Sequence, residues 1–211
     1  MGKDGKFSPT SRNCPKRIAL EQKDVLAELQ ALSKNVEHVK EIVSTQQSYA
    51  TTVALVESVD IHDLLEDALR INLMALGRHQ VQIVRQYAAT QFVRGDKHKI
   101  LQVLVNLITN AKQAMIGSET KTLTLSTETG PAGEVRVSIR DTGCGIAPEN
   151  ITRVFSHGFT TKKDGHGFGL YSSVLAAREM KGSLSVHSDG PGLGAIFTFE
   201  LPMAPARLCA A

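Results

Sequence analysis

Three clusters along this chain carry residue types and spacings that could do chemistry. The first lies in a Leu/Ile/Val-rich segment from Asp96 to Met115. There Gln102, Asn106, Thr109, Asn110 and Gln113 recur at spacings of three and four and so share one face of a helix. Carboxamide oxygens are hard ligands suited to Mg2+, which keeps most of its waters and binds phosphates with the help of a few protein oxygens. Taken alone, the plainer account is a solvent-facing stripe on an amphipathic helix.

The second cluster closes the alternating run Val135-Arg136-Val137-Ser138-Ile139-Arg140-Asp141, in which Val135, Val137, Ile139 and Asp141 share one face of a strand. A carboxylate that continues an apolar face needs hydrogen-bond donors, because leaving it unpaired there is costly. The exocyclic amino group of adenine is one such donor. Gly143 and Gly145 in Asp141-Thr142-Gly143-Cys144-Gly145-Ile146 would let the backbone pass a flat base without a Cβ clash. An Asx-turn at a strand end would also explain Asp-Thr-Gly.

The third cluster, Gly165-His166-Gly167-Phe168-Gly169-Leu170, opens a helix, where exposed N–H groups make a ready site for phosphate oxygens. Its spacing matches neither a dinucleotide fingerprint nor a P-loop, and a flexible hinge is the plainer account of it alone. Between the clusters, Phe155-Ser156-His157-Gly158-Phe159-Thr160-Thr161-Lys162 supplies apolar anchors and a lysine within reach of phosphate; Lys163 could serve instead.

These residues need elements to hold them. The pattern predicts a strand at 53–59, a helix from Ile61 to about Met74, a strand at Val81 to Arg85 and another near Phe92. Asp96 reads as the N-cap of a helix running to about Met115. Strands at Leu123 to Thr127 and Val135 to Ile139 flank a Gly130-Pro131-Ala132-Gly133 turn. A helix ends near Met180, and strands at Leu184 to His187 and Ala195 to Leu201 flank Gly190-Pro191-Gly192. This order predicts an α+β layer with helices on one face of a mixed sheet. Upstream, residues 1–19 read as a disordered lead. Residues 20–52 read as one long helix whose Val25, Leu29, Leu32, Val36, Val39 and Val43 form a heptad seam that wants a partner. Residues 53–203 then form the main domain and 204–211 a tail.

Composition narrows the class. The chain has 211 residues, 42% hydrophobic, with a formal net charge of +3 spread along its length, unlike the concentrated basic stripe of a nucleic-acid binder. Cys14, Cys144 and Cys209 make neither a disulfide framework nor a zinc pattern, which suits a reducing cytoplasm. No apolar run reaches membrane-spanning length, so any membrane anchor is expected upstream of this segment.

Order and spacing together are more specific than any one motif. Asn106 with Asn110-Ala111, Asp141-x-Gly143-x-Gly145, Phe155 with Phe159-Thr160-Thr161-Lys162, and Gly165-x-Gly167-x-Gly169-Leu170 resemble the N, G1, F and G2 boxes of two-component sensor histidine kinases. The resemblance covers roughly Ile61 to Met203. It implies the GHKL (Bergerat) ATPase fold, a two-layer α/β sandwich with a mobile lid between the G1 and G2 boxes. It also makes the 20–52 helix similar to the second helix of the dimerisation and phosphotransfer hairpin.

Carried over to this chain, the resemblance implies Mg2+ ligation by Asn110 with Asn106 close by, these two being the catalytic residues, and recognition of the adenine amino group by Asp141. It implies a base pocket shaped by Gly143, Gly145 and Ile146, and a lid of Phe159, Thr161, Lys162, Gly165, His166, Gly167, Phe168, Gly169 and Leu170 around the phosphates. The cofactors implied are ATP and Mg2+. The implied partners are a response-regulator receiver domain, a hairpin bearing a phosphoacceptor histidine, and a second copy joined through residues 20–52; nucleic acid is not among them. That acceptor histidine is followed by an acidic residue and then a proline, a context no histidine here has: His38 and His62 read as surface residues. His157 and His166 lack a third ligand and read as polar loop residues.

The implied reaction passes the γ-phosphoryl group of Mg-ATP to an imidazole nitrogen and then to a regulator aspartate. Asn106 stands where hydrolytic relatives have a water-activating glutamate, and an amide cannot act as general base. Two alternatives are an anti-sigma-type protein-serine kinase and a non-catalytic dimerising ATP-binding regulator. Asn106 and the long helix argue against the first; the missing acceptor keeps the second open.

Overall fold

The structure, a computed structural model of the chain, describes Val25, Glu28, Leu29 and residues 56–89, 91–131, 133–162 and 167–204. The expected lead, most of the expected 20–52 helix, the start of the 53–59 strand, Gly165 and His166 of the lid, and residues 205–211 lie outside the described residues. Val25 and Leu29 are helical and exposed, and the rest of the heptad seam lies outside.

The main domain opens with strand β1 (Glu57–Asp60), whose last residue caps the next helix: the Asp60 carboxylate accepts from the His62 N–H at 2.8 Å. That helix, α1 (Ile61–Arg78), buries Ile61, Leu64, Leu65, Ala68, Leu69 and Leu76 at helical spacing. It runs one turn past the expected end at Met74 because Gly77 does not stop it. The left-handed residue that does is Gln80, with φ of 55°, and the Val81 N–H then returns to the Leu76 carbonyl at 3.1 Å.

Strands β2 (Gln82–Tyr87) and β3 (Phe92–Gly95) lead into helix α2 (Lys97–Ala114). Its N-cap is Asp96, which accepts from His98 and Lys99 as the sequence predicts. Strands β4 (Thr122–Thr129) and β5 (Glu134–Asp141) follow, then a one-turn helix α3 (Pro148–Ile151) that periodicity could not announce. Helix α4 (Gly169–Glu179) and strands β6 (Ser183–His187) and β7 (Ala195–Pro202) complete the domain.

Five strands form one mixed sheet in the order β2-β4-β5-β7-β6, with β2 and β4 parallel and the other pairs antiparallel. Strands β1 and β3 form a separate antiparallel pair. Alternation decides which face is covered: Leu123, Leu125, Val135, Val137, Ile139, Phe197, Phe199 and Leu201 are buried under the helices, while Thr124, Ser126, Ser138 and Thr198 line the other face. The α+β sandwich expected from element order is the observed architecture. Ala204, expected to start the tail, is buried, and its N–H meets the Phe92 carbonyl at 2.8 Å.

Helix α2 is the middle of the helical layer, packing against α1, α4 and β5. Ile100, Val103, Leu104, Leu107, Ile108 and Ala111 turn inward, each large side chain contributing about 1.5–3 kcal/mol. The Phe199 ring lies in the same core without solvent exposure. Phe199→Ala is expected to lower unfolding stability by about 3–5 kcal/mol, read as a lower urea midpoint with unchanged slope.

Candidate functional site

The last turns of α2, the loop after β5 and the start of α4 meet at one end of the sheet. Helix α2 brings the carboxamides there, but its stripe divides. The Asn106 side-chain amide donates to the Gly169 carbonyl and to Ser173 Oγ, both at 3.3 Å, across the start of α4. Thr109 turns the other way, its hydroxyl donating to Asn72 Oδ1 on α1 at 3.1 Å, and so belongs to helix packing. Asn110 Oδ1 accepts from the Lys162 ammonium at 2.9 Å, and Gln113 Oε1 accepts from the same ammonium. A hard cation fits this donor set, since a positive nitrogen already sits on it.

Asp141 ends the buried face of β5 and is 1% exposed. Its Oδ1 accepts from the Gly143 N–H at 2.8 Å, forming the Asx-turn, while its buried Oδ2 has no hydrogen-bond partner. The turn and the ligand reading therefore use different oxygens of one carboxylate. Burial raises the Asp141 pKa above the usual aspartate value, against the opposing effects of the Gly143 and Ala195 N–H groups and the Lys162 charge. An amino donor such as that of adenine fits the free oxygen.

The glycines after Asp141 also serve a backbone contact that their spacing does not announce. A Cβ on Gly143 would lie 2.6 Å from the Ala114 backbone, where the neighbouring Cys144 N–H donates to the Ala114 carbonyl at 2.9 Å. A Cβ on Gly145, at φ of +67°, would collide with the Gly190 carbonyl. Both glycines thus admit neighbouring backbone, from α2 and from the β6–β7 loop, which presses the loop into place beside Asp141. The Ile146 N–H is held by Ser188 Oγ at 3.0 Å, and that hydroxyl donates to the Gly194 carbonyl at 2.6 Å.

The lid segment is fastened at both ends. Phe155 meets Phe197 edge to face at 6.5 Å between centroids, and the Arg153 guanidinium lies 4.7 Å from the Phe159 ring centre. His157 packs against Phe168 and Tyr171 at 4.8 and 5.0 Å between ring centroids. Gly167, at φ of +73°, leaves no room for a Cβ against the Gly158 and Phe159 backbone. Thr161 and Lys162 are exposed, and Lys163 lies outside the described residues. Lost hydration at its ammonium end still holds the Lys162 pKa below the usual lysine value, with Cys144 and Asp141 opposing and Lys112 adding to the shift.

Gly169 and Leu170 form the first turn of α4, whose leading N–H groups have no partners within the helix. A Cβ on Gly169 would approach nothing closer than Asn106 at 3.9 Å, so space does not require glycine there. Ser173 and Ser188 have no signal in the sequence, since a lone serine carries no spacing pattern. Among the described residues, no group of three or more His, Cys, Asp and Glu could hold a metal.

His62 is not the surface residue expected. Its side chain is 18% exposed, stacks on Tyr87 at 4.9 Å and pairs with Thr127 Oγ1 at 3.0 Å. Burying the stacking face of the ring against Tyr87 explains the difference. His38 lies outside the described residues.

Residues 95–205, more than half of the chain, match the family described as histidine kinase-, DNA gyrase B- and HSP90-like ATPase. The chain belongs to this ATPase family. The sensor histidine kinase ZraS of Salmonella typhimurium is 31% identical over 180 residues, which cover 82% of this chain and 37% of ZraS. The sensor protein FixL of Bradyrhizobium diazoefficiens is 33% identical over 142 residues, covering 67% of this chain and 28% of FixL. The chain thus spans about a third of the length of these relatives.

Among solved structures, full-length ShkA in complex with AMPPNP superposes with a TM-score of 0.74 at 25% identity, over 88% of this chain and 40% of ShkA. The catalytic domain of histidine kinase ThkA gives 0.62 at 25% identity, over 70% of this chain and 95% of that domain. The histidine kinase ATPase domain has the GHKL fold, and the two-component character of the relatives agrees with the four boxes. No helix among the described residues is long and apolar enough to cross a membrane.

The raised Asp141 pKa has a sign that can be tested. Its contribution to stability is fully present below the unfolded pKa and is lost as pH rises from there through the raised folded value. Asp141→Asn keeps an acceptor for Gly143 and removes the buried charge. The ATPase domain bearing it is expected to be at least as stable as the wild type at neutral pH, with the difference shrinking in mild acid, by urea midpoints. A clear loss of stability at neutral pH would show that the carboxylate has a further donor within the fold besides the Gly143 N–H.

Proposed function

We propose that this chain is the ATP-binding catalytic domain of a sensor histidine kinase, and that it transfers the γ-phosphoryl group of Mg-ATP to an acceptor histidine that is not among the histidines of this sequence. The single observation that carries the reading is Asp141, a buried carboxylate with one oxygen spent on Gly143 and the other unpaired. A donor that completes it belongs to a ligand, and adenine has one in its exocyclic amine.

Residues 53–203 form the kinase domain in this reading, and residues 20–52 one helix of a dimerisation hairpin that joins two copies. Asn110, with Asn106 nearby, would hold Mg2+, which would supply positive charge against the triphosphate. The first N–H groups of α4, at Gly169 and Leu170, point to phosphate oxygens, with Gly165, His166, Gly167 and Phe168 leading the chain to them. Gly143, Gly145 and Ile146 line the base side, and Phe159, Thr161 and Lys162 close over the nucleotide. The protein's part is positioning and charge neutralisation. Asn106 favours transfer over hydrolysis: its amide is tied to Gly169 and Ser173 and cannot take a proton from water. The phosphoryl group goes on to the aspartate of a response-regulator receiver domain, in the cytoplasm.

Asp141→Asn is expected to weaken binding of a fluorescent ATP analogue by about 1–3 kcal/mol. Unchanged affinity would remove Asp141 from the base pocket. The chain incubated with γ-labelled ATP is expected to give no acid-labile, base-stable phosphoprotein. It is expected to label a separately supplied hairpin bearing an acceptor histidine. Binding without labelling of any such hairpin would favour a non-catalytic ATP-binding regulator.

A further inference from the structure

The carboxamides of Asn110 and Gln113 lie three residues apart on α2, so they project from one face of its last turns. Both oxygens accept from one nitrogen, the Lys162 ammonium of the lid. No ion pair of Lys162 with a carboxylate occurs among the described residues, so the charge rests on two neutral acceptors. Such bonds hold an ammonium less firmly than a carboxylate would. Among the described residues, the lid around it is also held by Phe159 under Arg153 and by Gly167 against Gly158, with the Lys162 N–H turned onto Thr160 Oγ1 at 3.1 Å.

We propose that Asn110 and Gln113 form one cation locus on α2, held by the Lys162 ammonium in the nucleotide-free chain and by the divalent cation when Mg-ATP is bound. This rests on the ATP reading above and adds Gln113 to it as a residue of the cation site. The latch of the lid and the metal then exchange places. Lys162, released from α2, is free to swing toward the triphosphate. The two carboxamides are the kind of hard neutral oxygens that serve either cation, and a divalent ion shared with phosphates outcompetes a single ammonium. When ATP binds without a divalent cation, Lys162 remains at the locus and does the metal's work of offsetting phosphate charge.

Two measurements on the full chain test this. The first is hydrogen exchange of the Thr160 to Lys162 amides with no nucleotide or metal. Gln113→Leu and Lys162→Met are each expected to speed exchange about tenfold, the loss of hydrogen bonds to a charged group. Lys162→Arg is expected to retain the slow rate. Wild-type exchange in both disrupting variants overturns the latch. This arm needs no ATP, so its result is separate from the fate of the ATP reading.

The second is the affinity of a fluorescent ATP analogue with and without Mg2+. Lys162→Met is expected to weaken binding in both conditions, but metal-free binding about tenfold more than Mg2+-dependent binding, widening the ratio between the two. Equal losses in both conditions would make Lys162 a phosphate ligand only and overturn the exchange of cations. Failure of the wild type to bind the analogue at all would instead remove the ATP reading.

Discussion

Everything at the site hangs from the crossing of two element ends, the loop after β5 over the last turn of α2. At Gly143 the two backbones approach so closely that no side chain fits between them, and the Cys144 N–H ties the loop to the Ala114 carbonyl. This contact fixes Asp141 relative to Asn110, because one lies just before the crossing on the strand and the other one turn before it on the helix. The β6–β7 loop locks the arrangement from the far side through Gly145 and Ser188. An orphaned carboxylate oxygen would be costly in an ordinary core, and this crossing holds it in place.

Helix α2 explains why the two faces of the domain do different things. Its inward residues supply the core that fastens the helical layer to the sheet, and its other residues reach α1, α4 and the lid. Stability and ligand chemistry therefore share one rigid element. Asn106, fixed between Gly169 and Ser173, joins α2 to the start of α4, whose open N–H groups face the same end of the sheet. A displacement of α2 would move the proposed metal, base and phosphate contacts together.

Electrostatics at the site are arranged for a charged visitor. Burial raises the Asp141 pKa, and lost hydration at the ammonium end lowers that of the otherwise exposed Lys162, so each group carries its charge at a cost in the nucleotide-free fold. An amine donor at the one and an anion at the other would relieve both. Among the described residues, the lid that carries Lys162 is held by aromatic and backbone contacts of His157, Phe168, Tyr171 and Gly167.

The sequence alone determined most of the elements and the family. Alternation in β5 put Asp141 on the buried face, Asp96 announced α2, and the four boxes in order pointed to the histidine kinase ATPase family, because period, cap and motif are local properties of a chain. Only the tertiary structure decided how the polar stripe on α2 is shared out, sending Thr109 to Asn72, Asn106 to α4 and Gln113 to Lys162. It also decided that Gly143 and Gly145 make room for backbone, that His62 is packed on Tyr87, and that α1 ends at a left-handed Gln80 rather than at Gly77. Each of these depends on which distant segment arrives beside the residue, and spacing along one element holds no record of that.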